Sequence, residues 1–340
     1  MKHFQKTVCA VVVTYNREEL LMECLEVLEK QSRPLDAIYI VDNASNDETP
    51  LLLLERGYLE KIPPKKLDYP WEKSFIKNEI AIHYLRMDKN TGGSGGFHEG
   101  VKRAYQKGYD WFWLMDDDSE PYTDALELLS KYFDEEKISA LANSKFDPEM
   151  NFLNYHIGFL NFRKGYPEVL PIHPKKLDVD PYVEVDMSSF VGILVNKIAI
   201  DEIGFPKKEF FIYHDDVEYC IRLRKVGRIL MVWDSVIIHK DYNIKNRIRR
   251  PFFGKTYLRH AFDSYWTEYF NKRNLTWLKL RYKTNEVSIY FNLIISFLTD
   301  VLKIILVDDK KNKRINLLFY AYKDGIYGNF DNEKPKRILY

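Results

Sequence analysis

The segment Trp111-Phe112-Trp113-Leu114-Met115-Asp116-Asp117-Asp118 runs five large apolar residues straight into three carboxylates. Such a run reads as a strand buried on both faces, the kind found in parallel sheets. The three acids at its end repel one another unless something positive joins them. Side chains alternate along an extended chain, so Asp116 and Asp118 are expected to point one way and Asp117 the other. Two convergent carboxylates at a strand end suit a hard divalent cation carrying a diphosphate. The plainer reading is a solvated acidic turn before Pro121.

Outward from this segment, short apolar runs alternate with helical patterns. Val8 to Val13, Ala37 to Val41 and Ala81 to Leu85 read as further strands. Asn16 with Glu19 reads as a cap for the helix carrying Leu20, Leu21, Cys24, Leu25 and Leu28, and Ser45 with Glu48 as a capping box before Pro50. Leu59 to Asn78, rich in Pro and Lys, reads as an insertion loop. Asn90 to Gly96 reads as a glycine-rich loop feeding a helix that ends near Gly108. The β-α-β-α order predicts an α/β fold: a parallel sheet covered on both faces, with ligands beyond the carboxyl ends of the strands. The chemistry is therefore expected just after Val13, Val41, Leu85 and Met115. Further on, Phe190 to Val195 is a strand candidate, Asp215 to Val226 a helix closed by Gly227, and Arg228 to Ile238 an apolar run ending at His239.

With 340 residues the chain has room for two domains. Lys and Arg number 51 against 50 Asp and Glu, which excludes a generally basic protein. The cysteines, Cys9, Cys24 and Cys220, form no CxxC pair or disulfide framework, so a reducing cytoplasmic setting is expected. The first apolar run is too short for a signal-peptide core. No ordinary transmembrane helix is expected either: the nearest candidate, Val287 to Val307, contains Asp300 and Lys303. The composition changes near residue 240. From Lys240 to Lys283, twelve Lys or Arg face three acids, a local balance of +9, with Trp, Tyr and Phe interleaved. A first domain over 1–240 and a basic, aromatic, helical region over 241–340 follow.

Four more clusters carry chemistry. In Tyr213-His214-Asp215-Asp216-Val217-Glu218, Asp215 as N-cap and Glu218 three residues on form a capping box, which leaves Asp216 over. A carboxylate fixed at a helix N-terminus suits a general base. A lone His239 is more often structural, and becomes a ligand candidate only as a third partner to Asp116 and Asp118. Asn90-Thr91-Gly92-Gly93-Ser94-Gly95-Gly96-Phe97 brings free amides to a helix start, fit for an anion or a sugar, and matches neither a dinucleotide fingerprint nor a P-loop. In Val41-Asp42-Asn43-Ala44-Ser45, an acid ends the second strand, placed for a nucleoside or for an ordinary capping turn.

Together, Val11-Val12-Val13-Thr14-Tyr15-Asn16-Arg17, Val41-Asp42-Asn43-Ala44-Ser45, Asp116-Asp117-Asp118 and Asp215-Asp216 resemble family 2 glycosyltransferases of the GT-A fold, over roughly residues 7–240. The glycine segment looks most like the branch of bacterial galactofuranosyltransferases and some rhamnosyltransferases. The resemblance implies a Rossmann-like, mostly parallel central sheet with a helical C-terminal appendage. It implies that Thr14, Arg17, Asp42, Asn43, Asn90, Gly92, Gly93, Gly95, Gly96, Asp116 and Asp117 line the nucleotide and donor side, with Arg17 near Asp42. It implies that Asp116, Asp118 and His239 hold Mn or Mg, that His214 and Asp215 lie on the acceptor side, and that Asp216 is the base of an inverting reaction. Many members carry Glu-Asp where this chain has Asp215-Asp216, and the galactofuranosyl branch carries Trp where this chain has His214.

The implied donor is a nucleoside diphosphate sugar, UDP favoured, and the implied acceptor a surface glycan or a lipid-linked hydroxyl. A different enzyme class, a metal-dependent nucleotidyl or phosphoryl transferase, could also use three acids, but no P-loop or basic phosphate clamp accompanies them. The basic and aromatic C-terminal region, followed by Ile289, Leu293, Ile294, Phe297, Leu298, Val301 and Ile304-Ile305, suggests helices on an anionic membrane surface, which would place the protein peripherally on the inner face of the cell membrane. A packed appendage or a homo-oligomer contact is the alternative. No nucleic-acid recognition motif accompanies the charge.

Overall fold

The computed structural model describes residues 6–172, 181–240, 247–252 and 255–340. The chain divides into two compact units. The first takes Met1–Phe159, Leu170–Lys208 and Asp215–Tyr242; the second takes Leu160–Val169, Glu209–His214 and Asn243–Tyr340. The break after residue 240 that the charge suggests is therefore only part of the division, because two earlier excursions also join the helical unit.

The first part of the chain supplies β1 (Val8–Thr14), α1 (Glu18–Glu29), β2 (Ala37–Asp42), α2 (Thr49–Glu55), β3 (Trp71–Lys77), β4 (Ile80–Arg86), α3 (Gly92–Lys107), β5 (Trp111–Asp116), β6 (Ser119–Pro121), α4 (Ala125–Ser130) and β7 (Ile138–Phe146). After these come β8 (Ile157–Asn161), β9 (Glu168–Pro171), β10 (Tyr182–Val185), β11 (Met187–Ser188), β12 (Ile193–Asn196), α5 (Lys197–Ile203), α6 (Asp215–Val226) and β13 (Arg228–His239). The main sheet runs β10-β13-β7-β12-β5-β1-β2-β4-β3, with β6 paired to β13, and β11-β8-β9 form a small second sheet. The centre is parallel: β5, β1, β2 and β4 all run the same way. Antiparallel β12 follows beside β5, and antiparallel β3 closes the other edge. The expected insertion loop over Leu59 to Asn78 thus ends in a strand, whose mixed Lys, Glu and aromatic residues suit a half-exposed sheet edge.

β1 and β2 are buried at every residue, as their Val and Ile runs demand. The indole of Trp113 donates to Asn143 Oδ1 at 2.9 Å, so its polar edge is satisfied in the core. The register pairs Val13 with Asp116 and Thr14 with Asp42, which brings Thr14, Asp42 and Asp116 to one edge of the sheet. The glycine segment is the first turn of α3 rather than a loop leading to it. A Cβ on Gly96 would lie 2.5 Å from Val13 Cγ1, and one on Gly100 would lie 2.5 Å from Val11 Cγ1 and 2.8 Å from Val41 Cγ2. These glycines let α3 press onto β1 and β2, so part of the glycine pattern serves packing.

The second unit contains the hairpin β14 (Arg247–Phe252) and β15 (Lys255–His260), then α7 (Trp266–Arg281), α8 (Glu286–Val307), α9 (Lys311–Tyr327) and α10 (Lys334–Leu339). Its own core gathers Tyr166, Phe262, Tyr265, Tyr269, Phe270, Leu317 and Ala321 among others. Much of the positive charge counted in the sequence is consumed inside it. Arg273 is fully buried, Arg259 pairs with buried Asp308 at 2.5 Å, Lys272 pairs with Asp300 at 2.6 Å, and Arg250 pairs with Asp309 at 2.6 Å. Those three acids lie beyond residue 283, so a local count could not see them. Lys245 lies outside the described residues.

Candidate active site

Asp116 is the last residue of β5, and Asp117 and Asp118 form the turn into β6. The strand stops at the first acid, so the expected alternation does not continue through the other two. Instead Arg17, just before α1, reaches both: its Nη1 donates to Asp118 Oδ2 at 2.7 Å and lies 3.4 Å from Asp117 Oδ1. Asp117 Oδ2 also accepts from Thr14 Oγ1 at 2.7 Å. The pairing of His239 with Ser119 across β13 and β6 sets the imidazole beside Asp118, with Nε2 3.3 Å from Oδ1. That contact lacks hydrogen-bond geometry. Asp118 Oδ1 and His239 Nδ1 are both buried without a hydrogen-bond partner among the described residues.

The electrostatics follow from this crowding. Burial, then the charges of Asp118 and Asp117, pushes the Asp116 carboxyl well above the usual range. Burial also pushes Asp117 up to about 7, against the pull of Arg17. Asp118 goes the other way: burial opposes its charge, but His239 and Arg17 outweigh it and hold its pKa below the usual value. Burial likewise opposes charge on His239, yet Asp118 and Asp116 hold its pKa above the ordinary imidazole value. The cluster is short of positive charge and has two orphaned polar atoms. Carboxylates with one imidazole are the donor chemistry of Mn or Mg. Asp116, Asp118 and His239 fit such a cation by chemistry, although among the described residues no three His, Cys, Asp or Glu side chains are already drawn together as a cage.

Asp42 is fully buried, and its carboxylate accepts from Arg86 Nη1 at 2.5 Å, Tyr84 Oη at 2.6 Å and Ser45 N at 2.8 Å. Its neighbour Asn43 ties β2 to the glycine segment. Asn43 Nδ2 donates to Gly92 O at 2.8 Å and to Asn90 Oδ1 at 3.2 Å, while Oδ1 accepts from Thr91 N at 2.9 Å. Asn43, Asn90 and Gly92 are therefore brought together. A Cβ on Gly93 would meet open space, whereas one on Gly95 would strike Thr91.

α6 opens with Asp215 and Asp216 in its first turn. Asp215 is the first residue of the helix, and Glu218 accepts from Arg222, whose Nε and Nη2 donate at 3.0 and 2.8 Å. Asp216 keeps partial exposure, and its Oδ1 accepts from Val217 N at 2.7 Å. Burial, then the charge of Asp215, raises the Asp216 pKa to about 7. Burial raises Asp215 too, with Ser94 the strongest opposing influence.

Two residues that sequence reasoning passed over link these clusters. Lys145, near the end of β7, is fully buried; its Nζ donates to Ser188 Oγ at 2.7 Å and to Asn143 O at 3.2 Å. Burial lowers its pKa to about 7, and Asp216 is one of the charges opposing that fall. Ser188 N in turn meets Cys220 Sγ at 3.4 Å, one turn beyond Asp216 on α6. His156 joins Ser189 Oγ at 2.9 Å and packs edge-on against His239 with ring centroids 5.1 Å apart. Burial, with the charges of His239 and Lys145, pushes its pKa down to about 3. A Lys in an alternating strand and a His after a short turn carry no local signal. Only the register of β7 against β13, which pairs Lys145 with Ile237, places Lys145 here.

His214 belongs to the second unit, where its Nε2 lies 2.8 Å from Asn271 Oδ1. Phe211, Tyr213 and His214 all have left-handed backbones, with φ of 67°, 69° and 66°. α7 holds this segment. Asn274 Nδ2 donates to the carbonyls of Phe210, Ile212 and Tyr213, each at 2.9 Å, and Arg273 Nη2 donates to those of Glu209 and Phe210 at 3.1 and 3.0 Å. The held segment runs directly into Asp215 and Asp216.

A sequence profile of glycosyl transferase family 2 matches residues 9–60 and 70–192, more than half of the chain. The chain belongs to glycosyl transferase family 2. Within the family it is 28% identical over 227 residues to galactofuranosyltransferase GlfT1 of Mycolicibacterium smegmatis, covering 65% of this chain and 67% of that one. It is 30% identical to GlfT1 of Mycobacterium tuberculosis, covering 65% and 66%. It is 24% identical over 170 residues to the dTDP-rhamnosyl transferase RfbF of Shigella flexneri, covering 48% and 55%. The chain thus spans about two thirds of the length of the two galactofuranosyltransferases. Among solved structures it resembles GalNAc-T7 with UDP, GalNAc and Mn2+, with a TM-score of 0.54 at 14% identity, covering 72% of this chain and 45% of that one. The fold is GT-A-like, as the family resemblance implies.

Proposed function

We propose that this family 2 glycosyltransferase moves a sugar, galactofuranose favoured, from a nucleoside diphosphate sugar, UDP favoured, to a hydroxyl of a growing surface glycan or lipid-linked acceptor, with inversion. The observation that carries the reading is the pairing of an under-neutralised carboxylate cluster at the strand ends with a second carboxylate, Asp216, at the start of α6. Asp116, Asp118 and His239 would hold Mn or Mg. A bound divalent cation would supply Lewis-acid neutralisation of the departing diphosphate.

The rest is done by the chain. Asp216 accepts the proton of the acceptor hydroxyl as that oxygen bonds to the anomeric carbon and the bond to the diphosphate breaks. Its raised pKa, about 7, matches a base at neutral pH. One carboxylate suffices for direct displacement, and no protein nucleophile is needed. Arg17 and Thr14 orient Asp117 and Asp118 on the donor side. Asp42 is satisfied internally, so it serves the nucleoside side by fixing Arg86 and the turn at Ser45. Asn43 fixes the start of α3, where the open face at Gly93 leaves room for donor. Asp215 and His214 flank the acceptor side. A lipid-linked acceptor places the work at the inner face of the cell membrane. Similarity to the two galactofuranosyltransferases favours galactofuranose over rhamnose, the second donor to try.

The test is a donor screen with Mn, reading released nucleoside diphosphate from UDP-galactofuranose, dTDP-rhamnose, UDP-galactose, UDP-glucose and UDP-N-acetylglucosamine. Acceptor-dependent release from one of them is expected. EDTA should abolish it and Mn or Mg should restore it. Full activity in chelator removes the metal role from Asp116, Asp118 and His239.

A further inference from the structure

α8 is the one helix among the described residues that is long and apolar enough to cross a membrane, with a mean hydropathy of 1.9. At about 1.5 Å per residue its 22 residues extend roughly 33 Å. One side is committed to protein. Ile289, Leu293 and Ile304 are buried in the second unit's core, and Asp300 pairs with Lys272 and accepts from Tyr322 Oη at 3.1 Å. The other side is bare: Val287 is 82% exposed, Phe291 67%, Ile294 and Leu298 each 59% and Leu302 54%, with Tyr290, Ile295, Ile305 and Leu306 close to half exposed. At about 100° per residue these nine side chains cover an arc of roughly 160°. Monomeric surfaces rarely leave so large an apolar face uncovered.

The charges around this face are mostly positive, and exposed Glu286 in the first turn pairs with Lys283 at 2.8 Å. Lys303, half exposed on its rim, lies with its ammonium 4.0 Å from Asp300 Oδ1. Lys310, Lys311 and Lys313 are exposed just beyond the carboxyl end of the helix; Lys310 Nζ lies over the Phe262 ring at 3.8 Å and Lys313 Nζ donates to Leu339 O, both keeping their charge at the surface. The nearby acids Asp308 and Asp309 are engaged by Arg259, Arg250 and Arg314. A broad apolar arc with a basic rim and a basic end matches the boundary between acyl chains and anionic headgroups.

We infer that the exposed face of α8 lies in the plane of an anionic bilayer, inserted at the headgroup–acyl boundary, with the positive end at Lys310, Lys311 and Lys313 toward lipid phosphates. The helix lies on the membrane and does not span it, because its opposite face is fastened to α7 and α9. Of the apolar residues that the sequence offers for such a surface, Ile289, Leu293 and Ile304 are buried in the unit's core, and Ile294, Leu298 and Ile305 lie on the exposed face.

Co-sedimentation of the full chain with vesicles, in the absence of any donor sugar, tests this independently of the proposed reaction. Binding is expected to vesicles of phosphatidylcholine mixed with phosphatidylglycerol at low salt. Leu298→Glu with Leu302→Glu should weaken it by at least about tenfold, since two leucines that would enter the bilayer are exchanged for charges. Both positions are exposed, so circular dichroism should be unchanged, and Ile198→Glu, an exposed apolar position in the first unit, should bind as wild type. Lys310, Lys311 and Lys313 together changed to Glu should abolish the preference for the anionic mixture. The inference is overturned if wild type ignores these vesicles, if the Leu298, Leu302 pair binds normally, or if the lysine variant keeps its preference. It is also overturned if sedimentation velocity shows a dimer that the leucine pair dissolves, because a second copy then covers the face.

Discussion

Asp216 and Lys145 form an electrostatic pair in which each group is displaced toward neutrality. Burial raises the carboxyl and lowers the ammonium, both to about 7, and each opposes the shift of the other. A base works in its ionised form, so turnover should rise as pH climbs through the Asp216 value. Removing the lysine charge removes an influence that holds that value down. Lys145→Met is therefore expected to move the acid limb of the kcat profile to higher pH, by a fraction of a unit, with the protein still folded. An unmoved limb would detach Lys145 from the base. A second residue-scale expectation concerns the metal cluster. Asp118→Asn and His239→Ala should each raise the Mn concentration needed for half-maximal activity, read by titrating Mn into chelated enzyme. The acids and His239 were legible in the sequence because a buried strand ending in charge is conspicuous. Arg17 was legible as a site residue but not its partner, since its reach to Asp117 and Asp118 depends on how β1 lies beside β5.

At the scale of elements, the segment before α6 stores backbone strain. Three non-glycine residues, Phe211, Tyr213 and His214, have left-handed backbones there, and Asn274 and Arg273 of α7 hold the interleaved carbonyls of Phe210, Ile212 and Tyr213. Asn274→Ala removes the side-chain donor of the Ile212 and Tyr213 carbonyls, while Phe210 O keeps Arg273, and should cost about 1–3 kcal/mol of stability. If this segment also aims Asp216, kcat should fall by roughly tenfold while nucleotide affinity holds, whereas a merely structural role would lower thermal stability alone. Strands β1, β2, β4 and β5 were readable from their unbroken Val, Ile and Leu runs. The elements misread were those decided by partners distant in sequence. β3 is a strand only because β4 offers an edge. The glycine segment is helical because Gly96 and Gly100 let α3 settle on β1.

For the whole molecule, two units with separate cores divide the work. The α/β unit carries the carboxylate cluster, Lys145 and Asp216. The helical unit carries the bare face of α8 and the clamp on residues 209–214. Its charge could not be judged from the sequence, because Asp300, Asp308 and Asp309 neutralise residues up to 59 positions away. The central claim is that Asp216 is the base of a sugar transfer. It is tested most directly by comparing Asp216→Asn with wild type in acceptor-dependent release of nucleoside diphosphate, alongside nucleotide affinity. The amide keeps the shape but cannot take the proton, so turnover should fall by about two to four orders of magnitude with affinity near wild type. Turnover within a few-fold of wild type for Asp216→Asn, with Asp215→Asn the crippling change, would contradict the account.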